Sequence, residues 1–88
     1  MKEKDFEKIL KALANRRRIM ILCHLKQISE DRVGGIAAQL HLSLPATSRH
    51  LNILERAGVL EKEQRGLEVF YSVSDFNRPF VNGLILEL

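Results

Sequence analysis

Apolar positions recur at helical spacing along the chain as far as Gly58 and alternate after it. Phe6, Ile9, Leu10 and Leu13 follow the 3.6-residue period through a charged background and predict a first amphipathic helix. Asn15 is a candidate cap for a second helix over 16–26. There Ile19, Ile21, Leu22, Cys23 and Leu25 leave little polar circumference, which places that helix at the centre of the core. Residues 28–32 read as a polar connection. Val33, Ile36, Ala37 and Leu40 predict a short third helix over 33–40, weakened at its start by Gly34 and Gly35. His41 and Leu42 form the turn that follows, with His41 read as a solvated or capping residue.

The stretch 43–58 is a helix with marked ends. The Ser43 hydroxyl can accept from a first-turn N–H that has no partner inside the helix. Pro45 lies where a missing N–H costs little, and Gly58 suits a left-handed closing position. Thr47, Leu51 and Leu54 share an inward stripe. Ser48, Arg49, Asn52 and Arg56 then point outward, interrupted in charge only by Glu55. A helix anchored on one side with a cationic, hydrogen-bonding face on the other is what a DNA major groove admits. Two short helices joined by a tight turn, the second outwardly polar, make a helix-turn-helix pattern.

Beyond Gly58 the period becomes two. Residues 59–64 predict one strand, Arg65-Gly66 a turn, and 67–73 the return strand, with Leu67, Val69, Tyr71 and Val73 on one face. Lys62, Gln64 and Arg65 sit near the tip of this hairpin. A last helix is predicted over 78–88, with Pro79 in its first turn. Phe80, Val81, Leu84, Ile85, Leu86 and Leu88 exceed what the surface helix of a monomer buries, and a helix this short is marginal alone. It is expected to pack on helix one and on a second copy of the chain. The fold class is therefore mainly α with a small β-hairpin, in the order α-α-α-α-hairpin-α, as one domain over 1–88.

Composition narrows the function without deciding it. The net charge of +3 permits nucleic-acid binding but does not require it. A single cysteine excludes an intramolecular disulfide and fits a cytoplasmic setting. The charged start of the chain does not read as a signal peptide. No apolar run approaches the ~20 residues that span a bilayer, so no membrane partner is expected. The chain carries no Ser/His/Asp order, paired-carboxylate pocket, phosphate-cradling glycine loop or metal box, and an enzyme is not expected.

Several segments now coincide with a known pattern. The run from Leu13 through Asn15-Arg16-Arg17-Arg18 to Leu22 resembles the helix-two signature of the ArsR/SmtB family of bacterial winged-helix repressors. Leu42-Ser43 through Ser48-Arg49-His50-Leu51-Asn52-Ile53-Leu54, with Ala57-Gly58-Val59-Leu60, is similar to that family's recognition helix and its exit. Gly66 with Val69-Phe70-Tyr71 is similar to its wing. The resemblance covers nearly the whole chain. It implies a homodimer joined through the first and last helices, with Phe6, Ile9, Leu10, Leu13, Phe80, Val81, Leu84, Ile85 and Leu88 as the interface. It further implies a repressor that binds double-stranded DNA at an inverted-repeat operator, with an effector the sequence does not define.

The family's metal sensors use helix-three cysteines at the positions held here by Arg32 and Gly34, neither of which ligates a soft metal as a thiolate does. Their alternative site on the last helix uses Asp and His; Asp75 is present, but no histidine lies beyond His50. No metal site or cofactor is expected.

The expected DNA contacts come from three places. Arg49 can reach guanine or phosphate, and His50 can donate to phosphate. Ser43, Leu44, Pro45 and Ala46 lie in the first turn, where the apolar members point to thymine-methyl contact and shape readout. Ser48 and Asn52 complete the helix face, and Lys62, Gln64 and Arg65 are expected to meet phosphate or the minor groove from the wing. Arg16, Arg17 and Arg18 stand at the helix end that the dipole disfavours for cations; phosphate would account for them, as would ordinary solvation. Cys23 reads as a buried, inert core thiol, with a thiol-based redox switch as the alternative. A protein-interaction module without DNA binding is the competing class, and it predicts no salt-dependent duplex affinity.

Overall fold

The computed structural model describes residues 1–88. Its elements run α1 (Glu3–Leu13), α2 (Arg16–Ile28), β1 (Asp31–Arg32), α3 (Val33–Leu40), α4 (Leu44–Arg56), β2 (Leu60–Arg65), β3 (Glu68–Val73) and α5 (Arg78–Leu84). This is the expected order with one addition. The connection read as irregular contains β1, which pairs antiparallel with β3, so the hairpin is part of a three-stranded sheet ordered β1-β3-β2. A two-residue strand has no periodicity to display, so its polarity reads only as a connection. No helix is long and apolar enough to cross a membrane.

The core is built on α2. Ile21, Leu22 and Leu25 are essentially sealed from solvent, and Ile36, Leu51, Leu54, Val59 and Val81 close around them. Cys23 is only partly buried and packs on the edge of this cluster. Asn15 caps α2 as expected, its side chain accepting from the N–H groups of Arg17 and Arg18. His41 closes α3 in the left-handed conformation, with φ 56°.

Boundaries move at the wing and at the last helix. The wing turn is Gly66-Leu67 rather than Arg65-Gly66, because the residue that tolerates positive φ (Gly66, +64°) sits inside the turn. Leu67 therefore leaves the inward face predicted for it and stands fully exposed at the wing tip, while Tyr71 and Val73 are buried and Val69 partly so. The last helix ends at Leu84 instead of running to 88. Among the expected interface residues, Ile9, Val81 and Ile85 are buried in their own protomer. Their neighbours Phe6, Leu10, Leu84 and Leu88 are exposed, and Leu13 and Phe80 are partly buried. A helix period assigns apolar residues to a stripe; here α1, and α5 with the residues after it, turn apolar groups both inward and outward.

Two polar ties hold the frame. Gly58, with φ +80°, ends the α4 segment, and its carbonyl accepts from Ser74 Oγ at 2.8 Å and Asn77 Nδ2 at 2.7 Å. Asn77 is itself buried, so the exit of α4 is fastened to the start of α5. On the other side, His24 Nε2 meets Asp31 Oδ2 at 2.7 Å, while Asp31 Oδ1 accepts from the Arg32 N–H at 2.8 Å.

A Cβ on Gly35 would overlap the Asp31 carboxylate, so the glycine in α3 makes room for the tie between α2 and β1. Gly35→Ala is expected to destabilise the fold by about 1 kcal/mol: the displaced hydrogen bonds outweigh the better helix propensity of alanine. In an Asp31→Ala background the same change should become neutral or stabilising, which paired urea denaturations will read as a coupling energy.

Candidate nucleic-acid interface

α4 is held from behind. Thr47, Leu51 and Leu54 are fully buried, and Thr47 Oγ1 donates to the Ser43 carbonyl at 2.8 Å, so its polar atom is satisfied inside the first turn. The Ser43 hydroxyl accepts from the Ala46 N–H at 3.2 Å, the cap read from the sequence. With those groups turned inward, the helix presents Ser43, Leu44, Pro45, Arg49, Asn52 and Arg56 to solvent, with Ala46 and Ser48 partly exposed. Leu44 keeps more than half its surface exposed at the leading end, an apolar group where a thymine methyl could be met.

His50 is more committed than the sequence suggested. It is half-buried, and its Nδ1 lies 3.3 Å from Arg18 Nη1. A guanidinium only donates, so Nδ1 is the acceptor and the ring hydrogen resides on Nε2. Burial, then the charges of Arg18, Arg49 and Arg17, hold the imidazole below its ordinary value. His50 is thus a neutral Nε2–H donor, able to give one hydrogen bond to a phosphate but carrying no charge to it.

Arg18 has a second task. Its Nε donates to the Ala12 carbonyl at 2.6 Å and its Nη2 reaches the Lys11 carbonyl at 3.5 Å. These are the unsatisfied carbonyls at the C-terminus of α1, the end that attracts cations. A cation at the unfavourable end of α2 is therefore at the favourable end of α1. The sequence could not reveal this, because the pairing depends on how the two helices meet.

The wing departs most from expectation. Arg65 makes two hydrogen bonds to the Glu30 carboxylate, at 2.8 and 2.7 Å, also binds Glu63, and lies 4.5 Å from the centre of the Phe70 ring. The Glu30 and Glu63 carboxylates hold the guanidinium more firmly charged, and Arg65 in turn lowers the Glu30 carboxyl. These contacts fasten the wing to the segment after α2. Gln64 Nε2 donates to the Gly66 carbonyl at 3.3 Å, inside the wing turn. Lys62 stands 4.0 Å from Glu55, a distant and exposed pair that leaves it available to solvent anions. At the positions compared with metal-sensor ligands, Arg32 pairs with Glu68, Gly34 has no side chain, and Asp75 binds Arg78. No three His, Cys, Asp or Glu side chains gather as a metal site would require.

The arrangement of capped, outward-facing α4 beside a three-stranded sheet has close counterparts. The sequence pattern of the family described as bacterial regulatory protein, arsR family, matches residues 15–62, which include α2, α3, α4 and the start of the wing. The chain belongs to the arsR family. Among the chain's relatives, the transcriptional activator HlyU of Vibrio cholerae is 42% identical over 75% of this chain and 60% of its own length. The transcriptional repressor SmtB of Mycobacterium tuberculosis is 40% identical over 76% of this chain and 49% of its own. The chain thus spans about half to three-fifths of the length of these curated relatives.

A solution NMR structure of a homodimeric winged helix-turn-helix DNA-binding domain from Mycobacterium bovis, described as a possible ArsR-family regulator, superposes with a TM-score of 0.85. It is 28% identical, over 96% of this chain and 77% of that one. The expected winged helix-turn-helix fold and family are both established.

Proposed function

We propose that this chain is a cytoplasmic, homodimeric, sequence-specific DNA-binding repressor that reads an inverted-repeat operator with α4. The observation that carries the proposal is the outer face of α4: Arg49 and Asn52 stand free of protein partners on a helix whose other side is immobilised by Thr47, Leu51 and Leu54. Ser43 through Ala46 enter the groove first. Ser48 and the neutral His50 contact phosphate, and Lys62 supplies the wing's cation.

The dimer reading is supported by apolar groups turned outward on α1, on α5 and on the residues after it. Phe6, Leu10, Leu84, Leu86 and Leu88 expose apolar surface, and Phe6 already packs edge-to-face on Phe80 at 5.9 Å, joining the two helices into one surface. Beside it lies an apolar hollow of about 150 Å³, rimmed by Leu13, Ile19, Leu84 and Leu88, into which a partner's side chain would fit. Two-fold symmetry in the protein then requires two-fold symmetry in the operator.

Selection of bound duplexes from a random pool is expected to enrich an inverted repeat with half-sites about one helical turn apart. Sedimentation of the free protein should give the dimer mass. A monomer, or a pool that stays random at low salt, would sink the proposal.

A further inference from the structure

The charge on this face is not where a winged helix suggests it should be. Wing residue Arg65 is paired with two carboxylates, and Arg32 beside the sheet with Glu68. Arg16, Arg17, Arg18 and Arg49 have no carboxylate within ion-pairing distance. Arg18 is accounted for by the carbonyls of α1 and by His50. Arg16 and Arg17 are not: both are exposed, both stand where the α2 dipole repels cations, and nothing in the protein offsets that cost. The Arg18–His50 contact brings the first turn of α2 against the middle of α4. Asn15 already satisfies the N–H groups of Arg17 and Arg18, so the helix end itself is not the attraction; the side chains are.

We propose that Arg16 and Arg17 form a second phosphate-binding ridge beside α4, gripping the DNA backbone that borders the groove the recognition helix enters. This rests on the DNA-binding reading above and extends it: the main electrostatic anchor of each protomer is the start of α2, not the wing. Two guanidinium groups on a rigid, capped helix turn meet phosphate oxygens without ordering a loop. Their contribution is independent of base sequence, so it supports affinity and register and leaves selectivity to α4. The chain tolerates an unfavourable cation–dipole arrangement in the free protein because DNA relieves it in the complex.

The test uses the whole chain and a mixed-sequence DNA duplex, with affinity measured across a salt series for wild type, the double variant R16Q/R17Q and the double variant R16K/R17K. Each phosphate contact contributes about 0.9 to the slope of log affinity against log salt, so the glutamine variant should lose about 1.8 per protomer. The lysine variant should keep the wild-type slope. The glutamine variant should also melt at or above the wild-type temperature, because it removes cations from a helix N-terminus; weaker binding with undiminished stability marks a functional charge. An unchanged slope in R16Q/R17Q, or an equal loss in R16K/R17K, overturns the ridge while leaving the DNA-binding reading intact. A wild-type protein with no salt-dependent affinity removes both.

Discussion

Leu51→Ala is expected to lower folding stability by about 2–5 kcal/mol. Leu51 is fully buried at the centre of the α4 stripe, between Thr47 and Leu54. Truncation removes the transfer energy of the side chain and leaves a cavity that α2 and the end of the sheet cannot collapse into, because their own side chains are already sealed. A domain of this size holds roughly 4–13 kcal/mol in total, so the change consumes a large part of it. Urea denaturation at a fixed protein concentration will measure it, the concentration being fixed because a dimer's stability depends on it. DNA affinity should fall in step with the folded fraction and recover at low temperature or low urea. The neighbouring exposed Asn52→Ala should leave the midpoint nearly unmoved. A loss under about 1 kcal/mol for Leu51→Ala would mean that α4 is not anchored by this stripe.

Much of that architecture was open to inspection in the residue order. The inward stripe of α4, its Ser43 cap, the Asn15 cap and the left-handed Gly58 are local features, and each has a local signature. What escaped inspection depends on elements meeting in space. His24 and Asp31 are seven residues apart, and Arg65 and Glu30 thirty-five; no periodicity joins them. Arg65 illustrates the consequence for function. By composition it was one more basic residue on a basic hairpin, and only the folded chain gives it a carboxylate on either side and a ring beneath. His50 illustrates the reverse case: its place in the recognition helix was readable, but its neutral state follows from Arg18 arriving from another helix. Similarly, the spacing in α1 and α5 announced surplus apolar surface without saying which residues carry it. Ile9, Val81 and Ile85 went to the core, and Phe6, Leu10 and Leu84 were left outside.

Arg49→Ala is expected to weaken operator binding by about 1–3 kcal/mol per half-site if the guanidinium reads a base. Both protomers of a dimer lose the contact, so the total is about 2–6 kcal/mol, roughly thirty-fold to twenty-thousand-fold in affinity. Stability should barely change, because Arg49 is exposed and has no ion-pair partner to orphan. Its charge is one of those that depress His50, so the imidazole should titrate closer to its ordinary value in the variant, a shift that proton NMR will detect in the free protein. Arg49→Lys separates base reading from simple attraction. A lysine retains the charge and so the salt slope, but it lacks the planar fork that meets two acceptors on one guanine edge. If Arg49 reads a base, the lysine variant binds mixed-sequence DNA like the wild type and discriminates poorly among operators. If Arg49 serves only phosphate, the lysine variant matches the wild type on every duplex, the alanine variant loses affinity evenly across sequences, and recognition must then come from the apolar leading turn at Leu44, Pro45 and Ala46 together with Asn52.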